Sequence, residues 1–301
     1  MADKRFARSD VEPVSLEKIK RLVIVAMFSD DELMDQLVVK GGNALDIIYG
    51  VSTRASIDVD FSMQGDFPGG SPAFCKRVEQ ALERTFIEVN FQVFDVNIAE
   101  KPKAVSDDVA DFWGGYAIQF KLVDVNKYNQ LHGDIEKVRR CAVTLGKGTR
   151  FLIDVSKYEY VEKKEARLLD GYQVFVYSGA MVVVEKLRAI CQQMPEYLKV
   201  VHRGRPGTAR ARDFVDIHTV VTALNVDMTS PENKALLGPI FEAKRVELGL
   251  LEKISEYRDF HRVDFDGVLQ TVKADVKLEG FDFYFDFVLD LINKLKPFGN
   301  V

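Results

Sequence analysis

The chain has 301 residues, of which 47% are hydrophobic and 29% charged, with a net charge of -5. This length predicts about two domains, and the composition is that of a folded globular protein, which excludes disordered and fibrous classes. The chain has 41 Lys+Arg and 46 Asp+Glu residues, which excludes a surface that is positively charged throughout. Any contact with RNA must therefore use a local basic patch.

Cysteine usage and hydropathy narrow the cellular location. The three cysteines, Cys75, Cys141 and Cys191, are far apart and form no Cys-x-x-Cys or zinc-type spacing, so we expect reduced thiols in a cytoplasmic protein. The charged start, residues 1–5, precedes no apolar segment, which predicts no signal peptide. No uncharged apolar run approaches the ~18 residues that a membrane span needs. The sequence therefore excludes secreted and membrane classes.

The first half of the chain alternates helical and strand patterns. Helical spacing of apolar residues over 15–34 predicts a first helix, with Ser15 as its N-cap. The next helices are predicted at 43–49, after a short strand at 37–39, and at 71–85, where Pro72 occupies a first-turn position. The remaining strands are predicted at 56–62, 86–98, 116–125, 150–155 and 174–177, with a loop or insertion at 100–115.

After Ser178 only helical periodicity remains. Helices are predicted at 179–193, 208–224, 231–246, 249–258 and 278–295. The change predicts an α+β protein with a mixed-sheet domain over residues 1–178 and a helical domain over 179–301. The aromatic tail of the last helix has i, i+3, i+4 spacing, which is typical of core residues. It comprises Phe281, Phe283, Tyr284, Phe285 and Phe287.

The strongest chemical pattern is Asp58-Val59-Asp60. Residues i and i+2 of a strand lie on one face, so the two carboxylates converge while Val59 faces the core. Converging carboxylates repel one another unless a cation or proton lies between them, and hard oxygen ligands suit Mg²⁺ completed by substrate phosphates. The alternative is a solvated face on an exposed strand.

Two further features strengthen this pattern. Gly41-Gly42 lies between an apolar strand and a helix, where backbone N–H groups can bind phosphate oxygens, although an ordinary strand-to-helix turn would have the same residues. Asp154 lies in the apolar strand 150–155 and could supply a third carboxylate for a two-metal phosphoryl-transfer site. It could also be a strand-end cap.

Charged residues of the helical half are candidates for substrate binding. Lys186 could extend to the surface or point into a cleft as a charge for triphosphate oxygens. Asp213 could be a favourable first-turn charge of its helix or a functional group. The segment 199–212 has no carboxylate, and its arginines form a basic patch that suits an RNA end or serves as a solvated connector. These arginines are Arg203, Arg205, Arg210 and Arg212.

Taken together, these segments resemble the AbiEii-type nucleotidyltransferase toxins, which include the toxins of mycobacterial MenAT systems. The resemblance covers residues 35–220. It is carried by Val39-Lys40-Gly41-Gly42-Asn43-Ala44-Leu45, Arg54-Ala55-Ser56-Ile57-Asp58-Val59-Asp60-Phe61-Ser62, Phe151-Leu152-Ile153-Asp154-Val155-Ser156, Glu185-Lys186-Leu187-Arg188-Ala189 and Arg210-Ala211-Arg212-Asp213-Phe214-Val215-Asp216.

The resemblance implies a polymerase-β-like nucleotidyltransferase fold followed by a helical domain. It also implies transfer of a nucleoside monophosphate from an NTP, with Mg²⁺, to an acceptor such as a tRNA 3′ end, by the toxin of a toxin–antitoxin pair with a cognate antitoxin. By the same resemblance, Gly41 and Gly42 hold the triphosphate, and Asn43 replaces the more common Thr or Ser beside them.

The site residues follow from the same alignment of motifs. Asp58 and Asp60 match the family's metal ligands, and Asp154 lies on the strand where the fold carries its third carboxylate, which suggests two Mg²⁺ ions. Lys186 and Asp213 match a later essential Lys and Asp of the family. We expect Lys186 to counter the charge of the pyrophosphate, and Asp213 to orient Lys186 or another basic side chain. Two alternatives remain, namely transfer to a protein hydroxyl and a non-catalytic nucleotide- or RNA-binding protein on the same fold. A metal-dependent nuclease would leave the Gly-Gly turn and Lys186 unexplained.

Overall fold

The computed structural model describes residues 15–54, 58–104, 106–144 and 148–298. The predictions for the N-terminal residues 1–14 and for positions 56 and 57 of the predicted strand lie outside the described residues.

The predicted first helix is interrupted by a second cap. Helix α1 (Leu16–Phe28) begins where the Ser15 side chain accepts from the Lys18 N–H, as predicted. The chain then turns at Asp30, whose extended backbone and side chain cap α2 (Asp31–Gln36) through the Leu33 N–H. A capping aspartate satisfies the first N–H groups of a new helix, so one predicted helix becomes two.

The strands form one mixed sheet in the order β3-β4-β5-β2-β1-β7-β6. Strand pairs β2–β5 and β1–β7 are parallel, and the other neighbours are antiparallel. The strands are β1 (Val38–Lys40), β2 (Val59–Ser62), β3 (Phe91–Lys101), β4 (Gly115–Asp124), β5 (Phe151–Ser156), β6 (Glu165–Leu169) and β7 (Tyr172–Val176). The α+β prediction is confirmed, while β6 was not predicted.

The register of the central strands aligns three charged residues. Lys40 on β1 pairs with Asp60 on β2, and Asp60 pairs with Asp154 on β5. Directly paired residues of neighbouring strands lie on the same face of a sheet. The centre of the sheet therefore carries a cation and two carboxylates side by side.

The helices of the first half lie between these strands along the chain. They are α3 (Gly41–Asn43), which continues as a π-helical turn (Ala44–Ile48), α4 (Gly70–Ile87), α5 (Val125–Gln130) and α6 (Ile135–Arg140). The strand predicted at 86–98 starts only at Phe91, because α4 continues to Ile87 and the chain turns at Asn90 with a φ of 64°. Helices α5 and α6 were not predicted.

Only helices follow β7 among the described residues. They are α7 (Gly179–Cys191), α8 (Pro195–Val200), α9 (Ala211–Ala223), α10 (Pro231–Lys234), α11 (Leu237–Glu242), α12 (Leu250–Lys253), which continues as a 3-10 turn (Ile254–Tyr257), α13 (Arg258–Arg262), α14 (Phe265–Leu269) and α15 (Phe281–Leu295). The helix predicted at 231–246 is thus two short helices, and α8, α13 and α14 were not predicted. None of the described helices is long and apolar enough to cross a membrane.

Two large apolar clusters form the core. One lies between the sheet and helices α1 and α4, and the other is built around α7, α9 and α15. The second cluster also contains Val38, Val161 and Tyr177, so it extends across the boundary predicted near residue 178. In the aromatic tail Phe281, Tyr284 and Phe285 are buried as predicted, whereas Phe283 is 49% exposed.

Candidate active site

A cavity of about 850 Å³ is bounded by the central strands and by α7 and α9. Most of the predicted site residues line it. They are Gly41, Gly42, Asp60, Asp154, Lys186, Asp213, Arg203, Arg210 and Arg212, whereas Asn43, Asp58 and Arg205 do not line it. The structure therefore brings together residues that are up to 172 positions apart, from Gly41 to Asp213.

Gly41 approaches Asp60 so closely that a side chain cannot be accommodated. Its φ is +68°, and a Cβ at this position would lie 2.7 Å from the Asp60 Oδ2 atom. Glycine is the residue that adopts positive φ without strain and lets another group approach the backbone. The Gly-Gly turn therefore lies directly over the central carboxylate, as a phosphate-binding turn beside a metal ligand would.

The three predicted carboxylates influence one another electrostatically. Burial, aided by Asp154 and Asp58, raises the pKa of Asp60 to about 6 against the opposing effect of Lys40. Burial and the charge of Asp154 also raise the pKa of Asp58. Mutual repulsion of this kind is relieved by a cation between the groups.

Asp154 has a cationic partner of its own. The Lys101 Nζ atom, at the end of β3, lies 2.7 Å from Asp154 Oδ1, and both side chains are partly exposed. The Lys101 charge also partly offsets the rise in the pKa of Asp58. A lysine from the edge of the predicted 100–115 loop therefore partly neutralises the carboxylate group, a role that the sequence did not indicate.

The donor set fits a divalent cation by its chemistry. Carboxylate oxygens are hard ligands of the type that Mg²⁺ prefers. Within the described residues, no group of three His, Cys, Asp or Glu side chains is gathered closely enough to hold an ion. The predicted ligands Asp58, Asp60 and Asp154 are therefore not gathered into one ion-binding group in this structure, where Asp154 accepts a hydrogen bond from Lys101. They remain the carboxylates that would hold Mg²⁺ if the metal replaced this contact.

Asn43 stabilises the backbone next to the predicted carboxylates. Its side chain is fully buried, and its Nδ2 atom donates to the backbone carbonyl of Asp58. Its Oδ1 atom has no partner among the described residues. Asn43 therefore fixes the start of β2, next to the carboxylates, rather than presenting a side chain to the cavity.

Lys186 and Asp213 meet as the sequence suggested, but within a buried ionic network. The Lys186 Nζ atom lies 3.0 Å from Asp213 Oδ1 and 2.7 Å from Asp216 Oδ2. Asp216 also accepts two hydrogen bonds from Arg54, and Asp213 accepts one from Arg210. We name these five residues, Lys186, Asp213, Asp216, Arg54 and Arg210, the Lys186 network.

The Lys186 network carries three cations and two anions. Despite desolvation, neighbouring cations hold the pKa of Asp213 and of Asp216 below the usual range, so both are ionised at neutral pH. The nearby Asp60 carboxylate contributes to raising the pKa of Arg54. With three positive and two negative groups, the network presents a net charge of +1 to the cavity.

A second buried network lies deeper in the cavity wall. The fully buried Glu159 accepts from Arg188 at 2.8 Å and lies 3.5 Å from Lys40 and 3.6 Å from Lys244. Despite the desolvation, these cations hold the pKa of Glu159 well below its usual range. Sequence reasoning missed Arg54, Asp216, Glu159 and Lys244. Arg54 and Asp216 lie within the motifs that carry the family resemblance, whereas Glu159 and Lys244 had no signal in the sequence.

The basic segment divides into buried and exposed parts. Arg210 is held by Asp213, whereas Arg203 and Arg212 line the cavity with exposed side chains. Arg205 is exposed and does not line the cavity. Two exposed arginines at the cavity mouth therefore remain available to a polyanion.

Comparison with known protein families identifies the chain as a member of a nucleotidyltransferase family. The family described as nucleotidyl transferase AbiEii toxin, type IV toxin–antitoxin system, matches residues 23–287. This chain belongs to that family, as the motifs predicted. No curated protein matches it in sequence.

Two solved structures share the fold. JHP933 from Helicobacter pylori is 16% identical, with a TM-score of 0.50 over 94% of each chain. MenT4, a nucleotidyltransferase toxin from Mycobacterium tuberculosis H37Rv, is 13% identical, with a TM-score of 0.50 over 94% of this chain and 83% of its own. At such identities the similarity establishes the fold alone.

Proposed function

We propose that this protein is a Mg²⁺-dependent toxin that transfers a nucleoside monophosphate from an NTP to RNA. The proposed acceptor is a tRNA 3′ end. The observation that carries the proposal is the contact of Gly41 with Asp60, next to Asp154, in a cavity lined by arginines. A backbone turn over paired carboxylates suits a triphosphate bound through metal.

The reaction needs positioning and charge neutralisation more than covalent chemistry. Asp58, Asp60 and Asp154 would hold two Mg²⁺ ions, which would supply Lewis-acid activation of the transferred phosphate and of the acceptor hydroxyl. The N–H groups of Gly41 and Gly42 bind the triphosphate. The net positive Lys186 network faces the developing charge of the pyrophosphate, and Asp213 holds Lys186 in place.

The choice of an RNA acceptor is supported by the charge at the cavity mouth. Arg203 and Arg212 are exposed there, and their sign suits phosphates of an RNA end. In a chain of net charge -5, such a local patch is the expected electrostatic signature of RNA binding. As the toxin of a type IV pair, the protein acts in the cytoplasm and is countered by a cognate antitoxin.

The test supplies each labelled NTP in turn to the purified full chain with Mg²⁺ and total tRNA. We expect label in tRNA from one or two NTPs, and no label above background with Asp60→Ala. Asp266→Ala, at an exposed position of α14, is the matched control and retains wild-type transfer.

The other outcomes assign the function differently. Label that enters only polypeptide would move the acceptor to a protein hydroxyl. Binding of NTP by the folded chain without transfer to either acceptor would favour the non-catalytic nucleotide-binding alternative. Wild-type transfer by Asp60→Ala would contradict the assignment of the metal ligands.

A further inference from the structure

The residues that line the cavity change from charged to uncharged along α7. Glu185, Lys186 and Arg188 face its charged part, whereas Ala189 and Gln192 lie further along the helix. Gln192 is six residues beyond Lys186, about 9 Å at ~1.5 Å per helical residue. Trp113 and Val201 also line the cavity, and Trp113 packs beside Tyr197, the hydrogen-bond partner of Gln192. Ligand sites commonly combine such apolar walls with a few oriented polar groups.

We propose that this end of the cavity is the nucleobase subsite, with Trp113 as the stacking surface and Gln192 as the residue that selects the base. The proposal rests on the proposed function, since it takes the triphosphate to lie at the Gly41 end. It names the nucleobase edge of an NTP as the ligand.

The amide of Gln192 has a fixed orientation. The Tyr197 hydroxyl donates its single proton to the carbonyl of Lys244 at 2.8 Å, so it can only accept from Gln192. Gln192 therefore directs Nε2 towards Tyr197, at 3.2 Å, and its Oε1 atom takes no part in this bond. An oriented acceptor at the cavity wall is suited to a base N–H or amino group.

Trp113 is held as a platform by its neighbours. Its ring lies 6.0 Å from that of Tyr197, and the Lys244 Nζ atom lies 5.7 Å from its centroid. Lys244 in turn donates to the carbonyl of Phe112 at 3.2 Å, which fixes the backbone next to Trp113. Bases of every type stack on aromatic rings, so Trp113 contributes affinity and leaves the choice of base to a polar group.

Arg188 supplies a donor on the same helix face. It lies four residues before Gln192, which places the two on one stripe of α7. Its side chain is 2% exposed, and its Nε–H has no partner among the described residues. A donor and an acceptor on one stripe of the helix suit the alternating donors and acceptors of a base edge.

Trp113 is the only tryptophan of the chain, so its fluorescence reports on this subsite alone. The full-length protein is titrated with each NTP and with inorganic tripolyphosphate, while equilibrium dialysis of labelled NTP measures binding independently. We expect saturable quenching by NTPs, and displacement of NTP by tripolyphosphate without quenching. Quenching by tripolyphosphate equal to that by NTPs would overturn the stacking assignment.

Selectivity is tested with Gln192→Leu, and Gln270→Leu at an exposed position is the control. We expect the ratio of Kd values between the weakest and the tightest NTP to fall about tenfold in Gln192→Leu, which is ~1.4 kcal/mol of lost discrimination, with quenching retained. An unchanged ratio in a variant that binds NTP would overturn the role of Gln192. Absence of NTP binding in the wild-type dialysis would instead contradict the proposed function.

Discussion

Among single residues, Gly41 is the most tightly constrained in the site. We expect Gly41→Ala to reduce nucleotidyl transfer at least a hundredfold, because the new Cβ must displace the Asp60 carboxylate that it would approach within 2.7 Å. Transfer measured with labelled NTP and Mg²⁺ checks this. Positive φ alone would cost roughly 1 kcal/mol of stability for a residue with a side chain.

A matched control separates the two effects. Gly50 has nearly the same φ, +66°, but nothing lies within 4 Å of a Cβ built there. Gly50→Ala should therefore show only the loss of stability that positive φ causes, measured by urea unfolding, with near-normal transfer. Equal losses of transfer in the two variants would mean that backbone strain, and not the contact with Asp60, explains the requirement for glycine.

Lys101 makes the second prediction at this scale. Its ammonium group neutralises Asp154 at 2.7 Å, so its removal leaves the carboxylates with more uncompensated negative charge. We expect Lys101→Ala to bind Mn²⁺ about tenfold more tightly in a titration followed by electron paramagnetic resonance. Lys103→Ala, two residues away and outside the cavity lining, should bind as the wild type does. Weaker Mn²⁺ binding by Lys101→Ala would contradict competition between the lysine and the ion.

Among secondary-structure elements, α7 and α9 are joined by the Lys186 network. Lys186→Met leaves Asp213 and Asp216 buried beside each other with one cation fewer. Breaking a buried ion pair by removing one partner costs about 3–5 kcal/mol, and we expect a loss of unfolding free energy in that range. Urea unfolding measures it, with Lys294→Met, an exposed residue of α15, as the control. A loss as small as that of the control would show that the network contributes no net stability.

The same network gives a pH dependence with a definite sign. Cations lower the pKa of Asp213 and of Asp216 in the folded protein, although burial opposes this effect. A lowered carboxylate pKa stabilises the fold above the unfolded value of about 3.9 and ceases to do so as the pH falls towards the folded value. The difference in unfolding free energy between wild type and Lys186→Met should therefore have its largest value at pH 7 and decrease below about pH 4. A difference that grows in acid would contradict the ionised state assigned to these aspartates.

The elements that sequence patterns predicted well are those with local signals. The Ser15 cap, the Gly-Gly turn and the apolar strand around Asp154 were placed correctly, because each depends on residues a few positions apart. The division at Asp30 and the late start of β3 depend on a side-chain cap and a left-handed turn that periodicity does not detect.

In the site, too, short sequence motifs were predicted, whereas ion pairs between residues far apart in the chain were not. The paired aspartates and glycines have short, recognisable spacings in the chain. The partners Arg54 with Asp216 and Glu159 with Lys244 are 162 and 85 residues apart, as their numbers show. Charge neutralisation at such separations is a property of the folded structure, and the sequence alone therefore gave no role to these residues.

At the scale of the whole molecule, the two predicted domains share their interior. Glu159, before the predicted boundary at 178, is fully buried, and Arg188 and Lys244, after it, are two of the three cations that neutralise it. The apolar cluster around α7 likewise includes Val38 and Tyr177 from the first half. The cavity needs residues from both parts.

We therefore expect the first 178 residues, expressed alone, to lack cooperative thermal unfolding, and the full chain to unfold in one transition. The truncated chain would expose Val38, Val161 and Tyr177. Of the three cations that neutralise Glu159, it would keep only Lys40. A buried carboxylate without adequate partners is strongly destabilising. Calorimetry on both chains checks this. Two separate transitions in the full chain, one of them reproduced by the isolated segment, would show that the boundary at 178 divides independently folding domains.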